Sequence, residues 1–123
     1  MIFTNRISSG LLIFIGALGV LITILISEMF CNNYRSSQMI SDLGIGSSAL
    51  FFNLSIFFCG ILIIAAAYFL HKSGYYLVFS SLIVLIGTGL VGVGLFPEDT
   101  GIPHLIAAAL VFLCGSIAAF ISF

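Results

Sequence analysis

Four stretches of the chain are apolar on every face, and the polar residues fall almost wholly between them. They cover residues 7–27, 50–70, 75–95 and 102–122. Each reaches the ~20 residues that a helix needs to cross the hydrocarbon core of a bilayer. Barrel strands would alternate polar and apolar positions, and these segments do not. The pattern predicts an all-α fold, an integral membrane four-helix transmembrane bundle with short loops. It forms a single transmembrane domain over residues 1–123. Arg6 precedes the first run, so a signal peptide is the competing reading. The apolar core from Leu11 to Ile26 is too long for one, and no A-x-A cleavage site follows. Glu28-Met29-Phe30 before Cys31 does not suit a lipoprotein signal, so the segment is read as a helix of the mature protein.

The connections differ in character. Lys72-Ser73-Gly74 leaves room only for a tight turn, which makes helices two and three an antiparallel hairpin. The first connection, residues 28–48, is far longer than a link requires, and such loops fold locally or carry function. Its end, residues 41–48, is rich in turn and cap residues. Asp42 suits an Asx-type turn and Ser47 or Ser48 a helix cap, so this segment is expected to fold back over the bundle.

Composition supports lipid as the main solvent. Hydrophobic residues make up 62% of the chain and charged residues 6%, with a mean hydropathy of +1.37. So few charges cannot coat a water-soluble domain. Three basic residues and a net charge of −1 exclude a nucleic-acid partner and polybasic docking to anionic lipid. The lipid bilayer is the partner that remains. A cytoplasmic N-terminus puts Arg6, His71 and Lys72 inside with only Arg35 outside, which the positive-inside rule favours. The termini are then cytoplasmic in a multi-pass cell-membrane protein. All four acids, Glu28, Asp42, Glu98 and Asp99, fall together on the opposite, extracytoplasmic face.

Three cysteines occur without C-x-x-C or metal-finger spacing. Cys59 and Cys114 read as small core-packing residues. Cys31 lies in a loop, either as a free thiol or paired with a partner chain. Small residues within the helices mark close approach in lipid, where dispersion between backbones drives packing. Gly87, Thr88 and Gly92 on helix three, Gly115 and Ala119 on helix four, and Gly16 with Gly19 on helix one are the candidate packing faces. The alternative for the helix-three glycines is a ligand or ion path.

Candidate chemistry collects at the outer ends: Asp42, Asn53, Glu98, Asp99 and His104. Asn53, one turn into helix two, needs a partner because an unpaired amide in hydrocarbon costs several kcal/mol. It is either a clamp between helices or a residue pointing into an outer cavity. Pro103 suits the first turn of helix four, with Thr100 or Gly101 at its cap. His104 follows, near Glu98 or Asp99. A carboxylate beside an imidazole handles protons or binds a metal with a third ligand. The plainer reading is a capped helix start with an interfacial histidine. No cofactor signature is present: His71 and His104 lie at opposite faces, ~30 Å apart, which excludes a paired-histidine haem. No glycine pattern follows a strand as nucleotide binding requires. Neither G-x-S-x-G nor S-x-x-K occurs, and no charge sits in mid-membrane to wire a coupled transporter.

Several of these residues form a pattern. Ser41-Asp42-Leu43-Gly44 precedes helix two, which carries Phe52-Asn53-Leu54 and Gly60. Gly94-Leu95-Phe96-Pro97-Glu98-Asp99 and then His104 follow. In order and spacing this resembles an archaeal and bacterial membrane family, the domain of unknown function numbered 998. The resemblance implies a polytopic helical bundle with these motifs on one face. It raises Asp42, Asn53, Asp99 and His104 as ligand-binding residues, and supplies no reaction. Its members usually run longer, which implies an open flank here that another copy or subunit closes.

Two functions are expected to compete. One is a non-catalytic component that binds a ligand at its outer face through Asp42, Asn53, Asp99 and His104, working as a homo-oligomer or a subunit of a membrane complex. The other is a metal-assisted hydrolase or transferase on lipid head groups, with Asp42, Asp99 and His104 as catalytic candidates and Glu98 as a reserve base. A passive conduit along the helix-three glycines is a third.

Overall fold

A computed structural model describes residues 1–31 and 38–122. Arg35, on which the charge argument for orientation partly rests, lies outside the described residues. Among these the chain forms α1 (Ile2–Phe30), α2 (Ala49–Lys72), α3 (Leu77–Leu95) and α4 (Ile102–Ile121). Short 3-10 turns at Ile40–Gly44 and Glu98–Thr100 precede α2 and α4. All four α-helices are long and apolar enough to cross a membrane. The fold is all-α, as the apolar runs predict.

The helix ends depart from the apolar runs for local reasons. α1 has 29 residues, about 43 Å at 1.5 Å per residue, because nothing in Phe3-Thr4-Asn5-Arg6 stops a helix. α3 begins two residues late, since Tyr75 and Tyr76 are spent on leaving α2. There Gly74 takes φ 81°, its N–H bonds His71 O at 3.0 Å, and Tyr75 N–H reaches back to Leu70 O at 3.4 Å. This pair of backbone bonds is a Schellman end, which wants glycine at the left-handed position. Ser73 Oγ adds a bond to Leu70 O at 2.7 Å, and the tight antiparallel hairpin follows.

Each helix packs chiefly on its neighbours in sequence: α1 on α2, α2 on α3, and α3 on α4. The four form a row with α1 and α4 at its flanks. Burial follows that order. A third of α2's most apolar window is buried (33%), against 17% in each flanking helix.

Close approach is made by glycine. An added Cβ at Gly60 of α2 would lie 2.7 Å from Gly87 O, and one at Gly87 of α3 would lie 2.9 Å from Gly60 O. On another face of α3, side chains at Gly89 and Gly92 would meet Ala107 of α4, at 2.7 Å from its carbonyl and 2.8 Å from its Cβ. α3 thus carries a glycine face for each neighbour, which lets backbones touch where larger side chains would hold them apart. Gly16 and Gly19 of α1 likewise stand against Ile63 and Cys59 of α2, whereas Thr88, Gly115 and Ala119 do not face a neighbouring helix. Thr88 is exposed and bonds Val84 O of its own helix at 2.8 Å. A side chain at Gly115 would meet nothing within 4 Å, and Ala119 is exposed.

α1 is inverted relative to a water-soluble helix. Its buried residues are Ser9, Gly16, Thr23 and Ser27, while Leu11, Phe14, Leu18, Leu21 and Leu25 face outward. Lipid rewards this arrangement, because the outward side chains lose nothing there and the small inward ones admit α2. Cys59 and Cys114 are buried, and Cys31 is half-buried with no disulfide.

Candidate functional site

The site region is the end of the row that carries Asp42, Asn53, Glu98, Asp99 and His104. Its first element is the turn Ile40–Gly44, which folds back as the turn-rich sequence predicts. Asp42 shapes it locally: Oδ2 accepts the Met39 N–H at 3.0 Å. Leu43 is fully buried and packs with Phe52 and Ile56 of α2, with Val20 and Ile24 of α1 around them. Three side chains then tie the segment down. Ser47 Oγ donates to Phe30 O at the end of α1 (2.8 Å), Ser48 Oγ to Leu43 O (2.9 Å), and Asn53 Nδ2 to Gly44 O (2.9 Å).

Two sequence expectations change here. Ser48 stands at the cap position of α2, yet no side chain caps that helix. Its hydroxyl goes to Leu43 instead, because a buried carbonyl left unpaired costs more than an N–H open to the interface. Asn53 clamps the outer turn to α2 rather than one helix to another. Its Oδ1 is buried and has no hydrogen-bond partner. A side chain at Gly44 would approach that oxygen to 2.7 Å, and one at Gly94 would approach Asn53 O to 2.6 Å. Asn53 is therefore held between the turn and the end of α3.

The second element follows α3. Phe96 N–H closes the helix on Gly92 O at 2.8 Å, and the chain then turns through Glu98–Thr100. Thr100 Oγ1 bonds Pro97 O at 2.7 Å, and Gly101 takes φ 73° to start α4. Pro103 lies in the first turn, as expected. His104 Nδ1 lies 2.8 Å from Phe96 O. A carbonyl only accepts, so Nδ1 carries the hydrogen and the neutral ring keeps its basic lone pair on Nε2. The imidazole thus turns to a backbone carbonyl, not to Glu98 or Asp99. Asp99 is exposed, while Glu98 Oε2 is buried without a partner. The two outer turns pack against each other.

Asp42 is committed to its own turn through one oxygen, and Asn53 through its amide nitrogen. Among the described residues, the acceptors still uncommitted include the other Asp42 oxygen, Asn53 Oδ1, the Glu98 and Asp99 carboxylates and, in the neutral ring, His104 Nε2. No group of three His, Cys, Asp or Glu side chains able to hold a metal ion occurs among the described residues. Sequence reasoning ranked Glu98 last. Its burial is set by how the second turn lies against the first, which no local pattern reports.

No curated protein and no solved structure matches the chain. One family model does: that of a protein of unknown function, DUF998, over residues 14–122. The match begins inside α1 and ends with α4. It takes in both outer turns, Asn53 and His104, as the motif resemblance implies. A four-helix, multi-pass membrane protein built on this pattern belongs to the DUF998 family.

Proposed function

We propose that the protein is a non-catalytic component of the cell membrane, its termini cytoplasmic. It binds a ligand at the extracytoplasmic face through Asp42, Asn53, Asp99 and His104, and works as a homo-oligomer or as a subunit of a membrane complex. The observation that carries the reading is the unclosed row. α1 and α4 each pack mainly on one neighbour, and the Gly115–Ala119 side of α4 presents small residues, with nothing among the described residues fitted against Gly115. Small residues spaced i, i+4 suit helix association in lipid, so this side is the face offered to a neighbouring molecule. The outer turns, tied by hydroxyl and amide bonds, hold the ligand groups on a fixed frame.

Co-expression of two differently tagged copies, followed by pull-down from mild detergent, tests the assembly. Recovery of both tags, lost on Gly115→Leu with helix content intact, is the expected result. Recovery of one tag, with no other polypeptide present, contradicts the reading.

One observation favours the metal-assisted alternative. A histidine whose N–H is held by a backbone carbonyl is oriented as metal-ligating histidines commonly are. Zinc bound to the purified protein and lost in His104→Ala supports that alternative; metal-free protein indifferent to the substitution ends it.

A further inference from the structure

The opposite end of the molecule has a chemistry of its own. Both described ends of the chain, the α2–α3 hairpin and all described basic side chains meet there: Arg6, His71 and Lys72. No acidic side chain accompanies them, since Glu28, Asp42, Glu98 and Asp99 belong to the other end. Three cations are too few for general docking to a charged membrane. Their placement is what matters, because two of them stand beside apolar clefts.

The first cleft, of ≈ 410 Å³, lies between the start of α3 and the end of α4 and is lined by Tyr75, Tyr76, Val78, Phe79, Ile121 and Ser122. The Arg6 guanidinium, from α1, sits 5.9 Å from the centre of the Tyr75 ring. The second, of ≈ 280 Å³, runs between α2 and α3 beside Tyr68 and His71. There the Lys72 ammonium lies 4.8 Å from the centre of the Tyr68 ring. Both clefts repeat one construction: a largely apolar trough within about two turns of the helix ends, a tyrosine on its wall, and a cation held over that tyrosine.

We propose that these clefts seat anionic phospholipids of the leaflet on the side of the chain ends. The phosphate lies against Arg6 or Lys72 and the upper acyl chain in the trough. The depth is right, because tyrosine and the snorkelling cations mark the headgroup level. The sign is right, because none of the four acidic side chains stands at this end to compete for either cation. Guanidinium suits the job further, its planar fork matching phosphate oxygens in pairs. A zwitterionic lipid brings its own ammonium to an end already positive, so charge selects the anionic headgroup. This site is separate from the outer turns and does not depend on their role.

Native mass spectrometry of the full chain, released from vesicles of equimolar phosphatidylglycerol and phosphatidylethanolamine, reads the preference directly. Phosphatidylglycerol is expected to be retained in excess. A single cation near an anionic surface contributes about 1 kcal/mol, so Arg6→Gln and Lys72→Gln should each lower that excess about fivefold. Arg6→Lys should restore most of it. Val78→Trp, which fills the mouth of the first cleft from an exposed position, gives a second route should an Arg6 variant fail to fold. Equal retention of the two lipids by the native chain overturns the proposal, as does an excess unchanged in both glutamine variants. Full competition by inorganic phosphate also overturns it, assigning the cations to a soluble anion.

Discussion

Asn53 shows most plainly how one side chain sets the outer end. Its amide nitrogen reaches Gly44 O at 2.9 Å, and this bond joins α2 to the turn that covers it. Leucine at the same position keeps the volume and loses the bond, leaving a carbonyl unpaired at a cost of about 1–3 kcal/mol. Aspartate is worse, because it sets an anionic oxygen against Gly44 O. Thermal unfolding in mild detergent should therefore rank native above Asn53→Leu above Asn53→Asp; the reverse order of the two variants refutes the clamp. Ser48→Ala should cost about 1 kcal/mol by the same measurement, through the lost bond to Leu43. At this scale the sequence was legible where the chemistry is local. Asp42 bonding a residue three positions away follows from the habits of aspartate in turns. The partners of Asn53 and His104 are backbone carbonyls nine and eight positions distant. Only the folded chain brings them within reach, so residue type alone left both open.

The elements themselves were the most legible part. Lipid demands a run of about 20 apolar residues for each crossing, and that demand is written directly in composition. It also erases the usual signal for packing. A helix apolar on all sides has no amphipathic stripe to show which face is inward, so the row of helices was not readable from periodicity. What survived was the small-residue signal, clearest on α3, where glycines serve both neighbours. Its limit is that a small residue marks a possible contact without naming the partner, which is why Gly92 and Gly115 looked alike in sequence. They separate in the structure. Gly94→Ala places a methyl 2.6 Å from Asn53 O and should destabilise the α2–α3 pair by roughly 1–3 kcal/mol. Gly115→Ala meets nothing within 4 Å among the described residues and should leave the monomer unharmed, or gain up to about 1 kcal/mol of helix propensity. Detergent-titration unfolding of the two variants checks the contrast; equal losses contradict the assignment of faces.

Viewed whole, the molecule has two ends of opposite character joined by a neutral slab. Acids, Asn53 and His104 gather at one end, while the described basic side chains, Arg6, His71 and Lys72, stand beside tyrosine-walled clefts at the other. Between them α2 and α3 form the interior of the row, and α1 and α4 leave its flanks to lipid or to a neighbour. The proposed assembly is the claim on which the functional reading rests, and the mass of the particle is its most direct test. Released from native membranes in a mild detergent, the protein should appear as a multiple of the chain mass or in stoichiometric complex with another subunit, and Gly115→Leu should reduce it to the single chain. A stable, partner-free monomer from those membranes contradicts the account.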